Sequence, residues 1–168
     1  ADPDPSPLRY RPLPHTFSIA SVMVAINVPP EYGWTIIGAA IIPFVGLNMI
    51  GGQVMGARKK YNVQYPNLYA TPGYHKEADL FNQVQRGHQN ALEQYPGFLA
   101  LCLVGGLKHP IANAIGGVLW TLGRYLYMQG YVDAADKRYS KGAGIFWIGV
   151  LTGLISCGKL AYDIINSK

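Results

Sequence analysis

Arg86, Asn90 and Glu93 are spaced i, i+4, i+7, which sets their side chains on one face of a helix. Gln83 extends that face by one turn. Farther along, Trp120, Arg124, Tyr127 and Tyr131 recur at helical offsets, and Arg138 follows seven residues after Tyr131. A continuous helix would carry all of these on one face as well. Cations outnumber the single carboxylate Glu93 in the combined set, so two facing stripes leave positive charge for a ligand to neutralise. The chemistry this suggests is a polar cleft for a small anion, with tyrosine hydroxyls as donors on rigid apolar bodies. The competing reading is an ion-pair network, Glu93 with Arg86 or Arg124, that holds the helices together.

The elements that position these residues must sit in an unusually apolar chain. Of 168 residues, 49% are hydrophobic and only 14% charged, against about 25% charged in soluble domains. That excludes a disordered chain and points to a membrane bundle. In such a bundle a central Arg or Asp costs roughly 2.5 to 3.5 kcal/mol, so the polar stripes need a reason. The net charge is +5, but no dense basic run suits nucleic acid, and no nucleic-acid partner is expected. Cys102 and Cys157 lie in apolar stretches and read as inert core thiols. They provide no disulfide scaffold and no metal framework.

Trp34 to Ala57 is free of charge and, at about 1.5 Å per residue, roughly 36 Å long, enough to span a bilayer. Pro43 should kink it. Asp79 to Glu93 and Pro96 to Leu107 read as one helix, half amphipathic and half apolar, with a kink at Pro96. Ile111 to Val132 and Gly142 to Tyr162 complete four spans, an all-α bundle. Arg58, Lys59, Lys60, Lys76, Lys137, Arg138 and Lys141 gather on one side, with Arg9, Arg11, Lys108 and Lys168 on the other. The positive-inside rule puts the richer side in the cytosol or its equivalent. Tyr61, Tyr65, Tyr69 and Tyr74 read as an interfacial aromatic belt. Residues 1–32 carry seven of the twelve prolines and are expected to form an extension outside a domain at 33–165, a strap for a partner or the membrane surface.

The run Arg86-Gly-His-Gln-Asn-Ala-Leu-Glu-Gln-Tyr-Pro96, with Arg124-Tyr-Leu-Tyr-Met-Gln-Gly-Tyr131 and Ala57-Arg-Lys-Lys-Tyr-Asn-Val-Gln-Tyr-Pro66, resembles the MAPEG family. These are membrane-associated proteins of eicosanoid and glutathione metabolism. The pattern is most similar to the type three microsomal glutathione S-transferases and covers about residues 31–165. The resemblance implies a homotrimer of four-helix subunits that binds glutathione, as co-substrate, between neighbours. Carried over by position, Arg86, Asn90, Glu93, Tyr127 and Tyr131 would hold glutathione. Arg58 and His88 would approach from the adjacent subunit, and Arg138 would meet the thiol as the catalytic residue.

The implied activity is that of a glutathione S-transferase or glutathione-dependent peroxidase, leukotriene-C synthase-like activity included. Its targets would be lipophilic electrophiles or lipid hydroperoxides reaching the site from the lipid bilayer, with no metal. The family's usual membrane is the endoplasmic reticulum, whereas the proline-rich extension also suits another organelle membrane. The alternatives are a non-catalytic MAPEG-fold subunit of a larger membrane complex, contacted through residues 1–32, or a lipid-binding protein. Three features depart from the type three pattern: residues 1–32 have no counterpart in most members, the chain ends Ile-Asn-Ser-Lys without the C-terminal cysteines common there, and Gln94 stands where some members carry an aromatic or aliphatic residue.

Overall fold

The computed structural model describes residues 28–166, and the expectations for the segment before Val28 lie outside it. Four long helices make up the described chain: α1 (Tyr32–Tyr61), α2 (Ala78–Gly106), α3 (Pro110–Asp133) and α4 (Phe146–Asn166). Short 3-10 turns at Ala135–Lys137 and Ala143–Ile145 lead from α3 into α4. No strand occurs among the described residues. The helices run up and down, with α2 and α3 as the central pair and α1 and α4 packed on either side of it.

The two internal prolines are accommodated differently. Residues Ile36–Ile41 wind as a π-helix just before Pro43. Pro43 has no N–H and its ring crowds the Ala39 carbonyl, so a wider turn upstream relieves the clash. Pro96 sits inside α2 without ending it, as expected from reading both halves as one element. Helix α1 runs through Arg58-Lys59-Lys60 before Asn62 turns it off in a left-handed conformation (φ 54°). Helix α4 begins at Phe146 rather than Gly142, because Gly142 turns at φ 78° and a 3-10 turn intervenes.

The core has two parts. One is built on Trp120, which is fully buried and stacks on Phe98 with ring centroids 4.6 Å apart. The other joins Ile50, Val54, Phe81, Val84 and Met128, and the α1–α2 loop closes it with Val63 and Ala70. Close backbone approach permits this packing. A Cβ on Gly117 would lie 2.8 Å from the Ala39 Cα and collide with the Gly38 carbonyl, so α3 meets α1 there only because the residue is glycine.

Outward faces are apolar. Met49, Met55, Leu154, Ile155 and Ile165 are all more than half exposed, a surface that water would disfavour and lipid would not. Helices α1 and, with its leading turn, α4 (Ala143–Asn166) are long and apolar enough to cross a membrane. Helices α2 and α3, of 29 and 24 residues, have the length at about 1.5 Å per residue, but their polar stripes lower the hydropathy.

Candidate functional site

Helical spacing delivers the α2 stripe as expected. Arg86 Nη1 donates to Glu93 Oε1 at 2.6 Å, two turns along the same face. The pair is open to the surroundings, with side-chain exposures of 41% and 50%, so it is no buried lock. Arg86 lines an open groove of about 470 Å³ with Tyr69, Asp79, Asn82, Gln83, Tyr131 and Ala135. Gln83 Oε1 is buried there without a hydrogen-bond partner.

The rim of this groove comes from the α1–α2 loop, and Asn82 holds that loop in place. Its amide accepts from the Ala70 N–H at 2.8 Å and donates to the Ala70 carbonyl at 3.0 Å. The Tyr69 hydroxyl donates to Gln89 Oε1. Tyr69 is thus tied to α2 at the groove. Tyr69, Asp79 and Asn82 were not legible as groove residues. Periodicity places Asp79 and Asn82 on α2, but only the returning loop makes them a wall.

On α3 the stripe divides. Tyr131 reaches the groove, while Tyr127 is buried behind it with ring centroids 5.8 Å apart. Arg124 is buried, 3% exposed, with its guanidinium 3.9 Å from the Phe146 ring centroid. Arg124 Nη1 donates to Asn90 Oδ1 at 2.9 Å, so the two stripes do meet, through an amide and not through Glu93.

Arg138 does not continue the α3 stripe. The helix ends at Asp133 and Ala134 is extended (φ −170°, ψ 151°), so the fourteen-residue helical offset from Arg124 does not apply. The chain folds back instead, and its Lys137–Arg138 backbone packs on Gly130, where a Cβ would lie 3.1 Å from the Arg138 Cα. Exposed Arg138 donates to the Ala135 carbonyl at 2.9 Å. Its neighbour Tyr139 lies edge-on to Tyr127, centroids 5.5 Å apart. Arg138 thus sits at the tyrosine end of the bundle through a loop contact that the spacing did not contain.

Arg58 and His88 lie elsewhere in the single chain. His88 lines a second, mostly apolar groove of about 510 Å³ with Phe44, Leu47, Gly51, Leu92 and Tyr95. His88 and Arg86, two positions apart on α2, point to different sides. Arg58 donates to the Asn67 carbonyl at 2.7 Å and stacks over Tyr65, 4.5 Å from the ring centroid. Among the described residues no three His, Cys, Asp or Glu side chains come together to hold a metal.

Among the described residues, a helical bundle with an apolar exterior and a charged groove bearing Tyr69 and Tyr131 defines a membrane-type protein with a polar site. Its sequence says which kind. The chain belongs to the MAPEG family, whose model matches residues 32–162. It is 36% identical to human (Homo sapiens) microsomal glutathione S-transferase 2 over 115 residues, 66% of this chain and 74% of that one. It is 31% identical to bovine (Bos taurus) leukotriene C4 synthase over 114 residues, 66% and 70% of the two chains. An uncharacterized protein of Synechocystis is 43% identical over 83 residues, 49% of this chain, and the match spans 56% of that protein's length.

Proposed function

We propose that the protein is a four-span membrane glutathione transferase, working as a homotrimer. In this reading it activates glutathione for attack on lipophilic electrophiles or reduction of lipid hydroperoxides. The observation that carries it is the exposed Arg86–Glu93 pair, whose Arg86 lines a groove with Tyr131, in a family whose relatives include a glutathione transferase. Glutathione has carboxylates suited to the Arg86 fork and an ammonium suited to Glu93, so it can exchange for both halves of the existing pair. Tyr131 in the groove and Asn90 on the same α2 face extend that wall of the site, and Tyr127, buried behind Tyr131, backs it. Because Arg58 and His88 face away from it in one chain, they serve a site only if a neighbouring copy presents them. That supports assembly with glutathione between subunits.

Arg138 is the proposed activating cation. A free thiol with a pKa of about 8.5 is mostly protonated at neutral pH. Lowering that value by about two pKa units corresponds to roughly 2.7 kcal/mol of thiolate stabilisation. Arginine keeps its proton, so water carries the thiol proton away. The thiolate then forms the carbon–sulfur bond as the electrophile's leaving group departs, or takes the terminal OH of a hydroperoxide as the O–O bond breaks. In the second case the lipid alkoxide is protonated by water, and a second glutathione reduces the resulting sulfenic acid, giving glutathione disulfide and water. The lipid partner enters from the bilayer, and the endoplasmic reticulum is the expected membrane.

Purified full-length protein in detergent should turn over glutathione with a model electrophile and, in a separate assay, with a lipid hydroperoxide. Tight glutathione binding with no turnover of either substrate would refute the catalytic reading.

A further inference from the structure

Arg124 is a buried cation within the described bundle. It is 97% buried, has no carboxylate partner among the described residues, and leaves its Nε without an acceptor. Aromatic faces enclose it, with Phe146 at 3.9 Å, Trp120 at 5.3 Å and Tyr127 at 6.0 Å from its guanidinium carbon. A cation walled off in this way does not reach the groove where Arg86 and Tyr131 lie. The aromatic faces offset part of the cost of burying this cation, but no carboxylate cancels its charge, and an apolar residue of similar length would carry no such cost. Packing alone therefore does not explain it.

Its one hydrogen bond supplies an explanation. Arg124 Nη1 donates to Asn90 Oδ1 at 2.9 Å. A guanidinium has donors and no acceptor, so it fixes which end of the Asn90 amide faces inward. The amide oxygen is held toward α3, which turns the NH2 end away from α3, on a residue that shares its helix face with Arg86 and Glu93. A freely rotating Asn90 would offer a ligand either a donor or an acceptor. Held by Arg124, it offers two N–H donors and selects for a carboxylate or carbonyl oxygen.

We infer that Arg124 is a positioning residue, which locks the Asn90 amide so that only its N–H donors face the ligand, and that this is why a buried unpaired cation is kept. The inference rests on the glutathione reading for the identity of the ligand. Arg124 acts through Asn90 and touches no reacting atom.

The test uses full-length protein in detergent: wild type, Arg124→Met and Asn90→Asp. Glutathione affinity is measured by calorimetry, unfolding temperature without ligand, and KM for glutathione with kcat. Removing Arg124 should weaken glutathione binding by about two- to tenfold, the cost of ordering the freed Asn90 side chain on binding. KM should rise to match, with kcat at saturating glutathione little changed and the ligand-free unfolding temperature unchanged or higher. A merely structural Arg124 would lose stability and affinity together, and that joint loss would overturn the inference. Unchanged affinity in Arg124→Met would overturn it as well, while leaving glutathione binding intact.

If Arg124→Met does not assemble, Asn90→Asp decides. Its carboxylate keeps the contact to Arg124 and gives that cation a counter-charge, but has no N–H to offer. Binding should fall by about tenfold or more in a stable protein, and unchanged binding overturns the inference. Wild type that fails to bind glutathione would overturn the functional reading itself, and this inference with it.

Discussion

Arg86→Ala and Glu93→Ala should separate the ligand site from the scaffold. The two side chains meet at 2.6 Å but stay 41% and 50% exposed, and an exposed ion pair contributes about 0–1 kcal/mol to folding. At this chain length 1 kcal/mol moves the unfolding temperature by about 2–4 °C. Each ligand-free variant should therefore unfold within about 4 °C of wild type. Glutathione binding is a different matter, since each truncation leaves one ligand charge without its counterpart in the cleft. Where the bound ligand and a neighbouring copy bury these charges, losses of about 2 kcal/mol or more are expected for removing one partner, roughly thirtyfold in Kd.

The Arg86 and Glu93 effects should not add. Removing Glu93 also frees Arg86 from the pair it must surrender to bind the ligand, and contacting residues couple in this way. Calorimetry on each single variant and on the double variant, all in the assembled state, measures this. Unchanged Kd in both single variants would refute the site. A fall in ligand-free unfolding temperature of ten degrees or more would show that the pair belongs to the scaffold.

Arg138→Ala should raise the pKa of bound glutathione thiol toward about 8.5, read from thiolate absorbance in the near ultraviolet. The neutral-pH rate should fall by tens of times while affinity changes little, with Lys137→Ala as the matched control, and equal thiol pKa values would leave Arg138 as a topology anchor. Asn82→Ala removes both hydrogen bonds to Ala70 and should speed amide exchange across residues 62–77 by about tenfold; unchanged exchange would mean that other contacts hold the loop. Gly117→Ala drives a methyl into the α1 backbone at Gly38 and Ala39 and should cost about 1–3 kcal/mol; thermal unfolding in detergent equal to wild type would refute the close α1–α3 approach.

The four helices and the α2 stripe were legible in the sequence because they depend on local rules. Apolar length, proline and basic punctuation mark where each helix runs, and the 3.6-residue period alone brings Arg86, Asn90 and Glu93 onto one face. The rest depends on contacts between segments distant in sequence. Asn82 reaches back to Ala70, making Tyr69 and Asp79 walls of a groove, and no local pattern encodes that return. Periodicity carried Arg138 onto the α3 stripe, but the helix stops at Asp133 and the loop packs on Gly130 instead. Sequence offered Glu93 to either arginine. The fold gives it to Arg86 and leaves Arg124 to Asn90, because burial behind Phe146 and Trp120 is a property of helix packing and not of spacing.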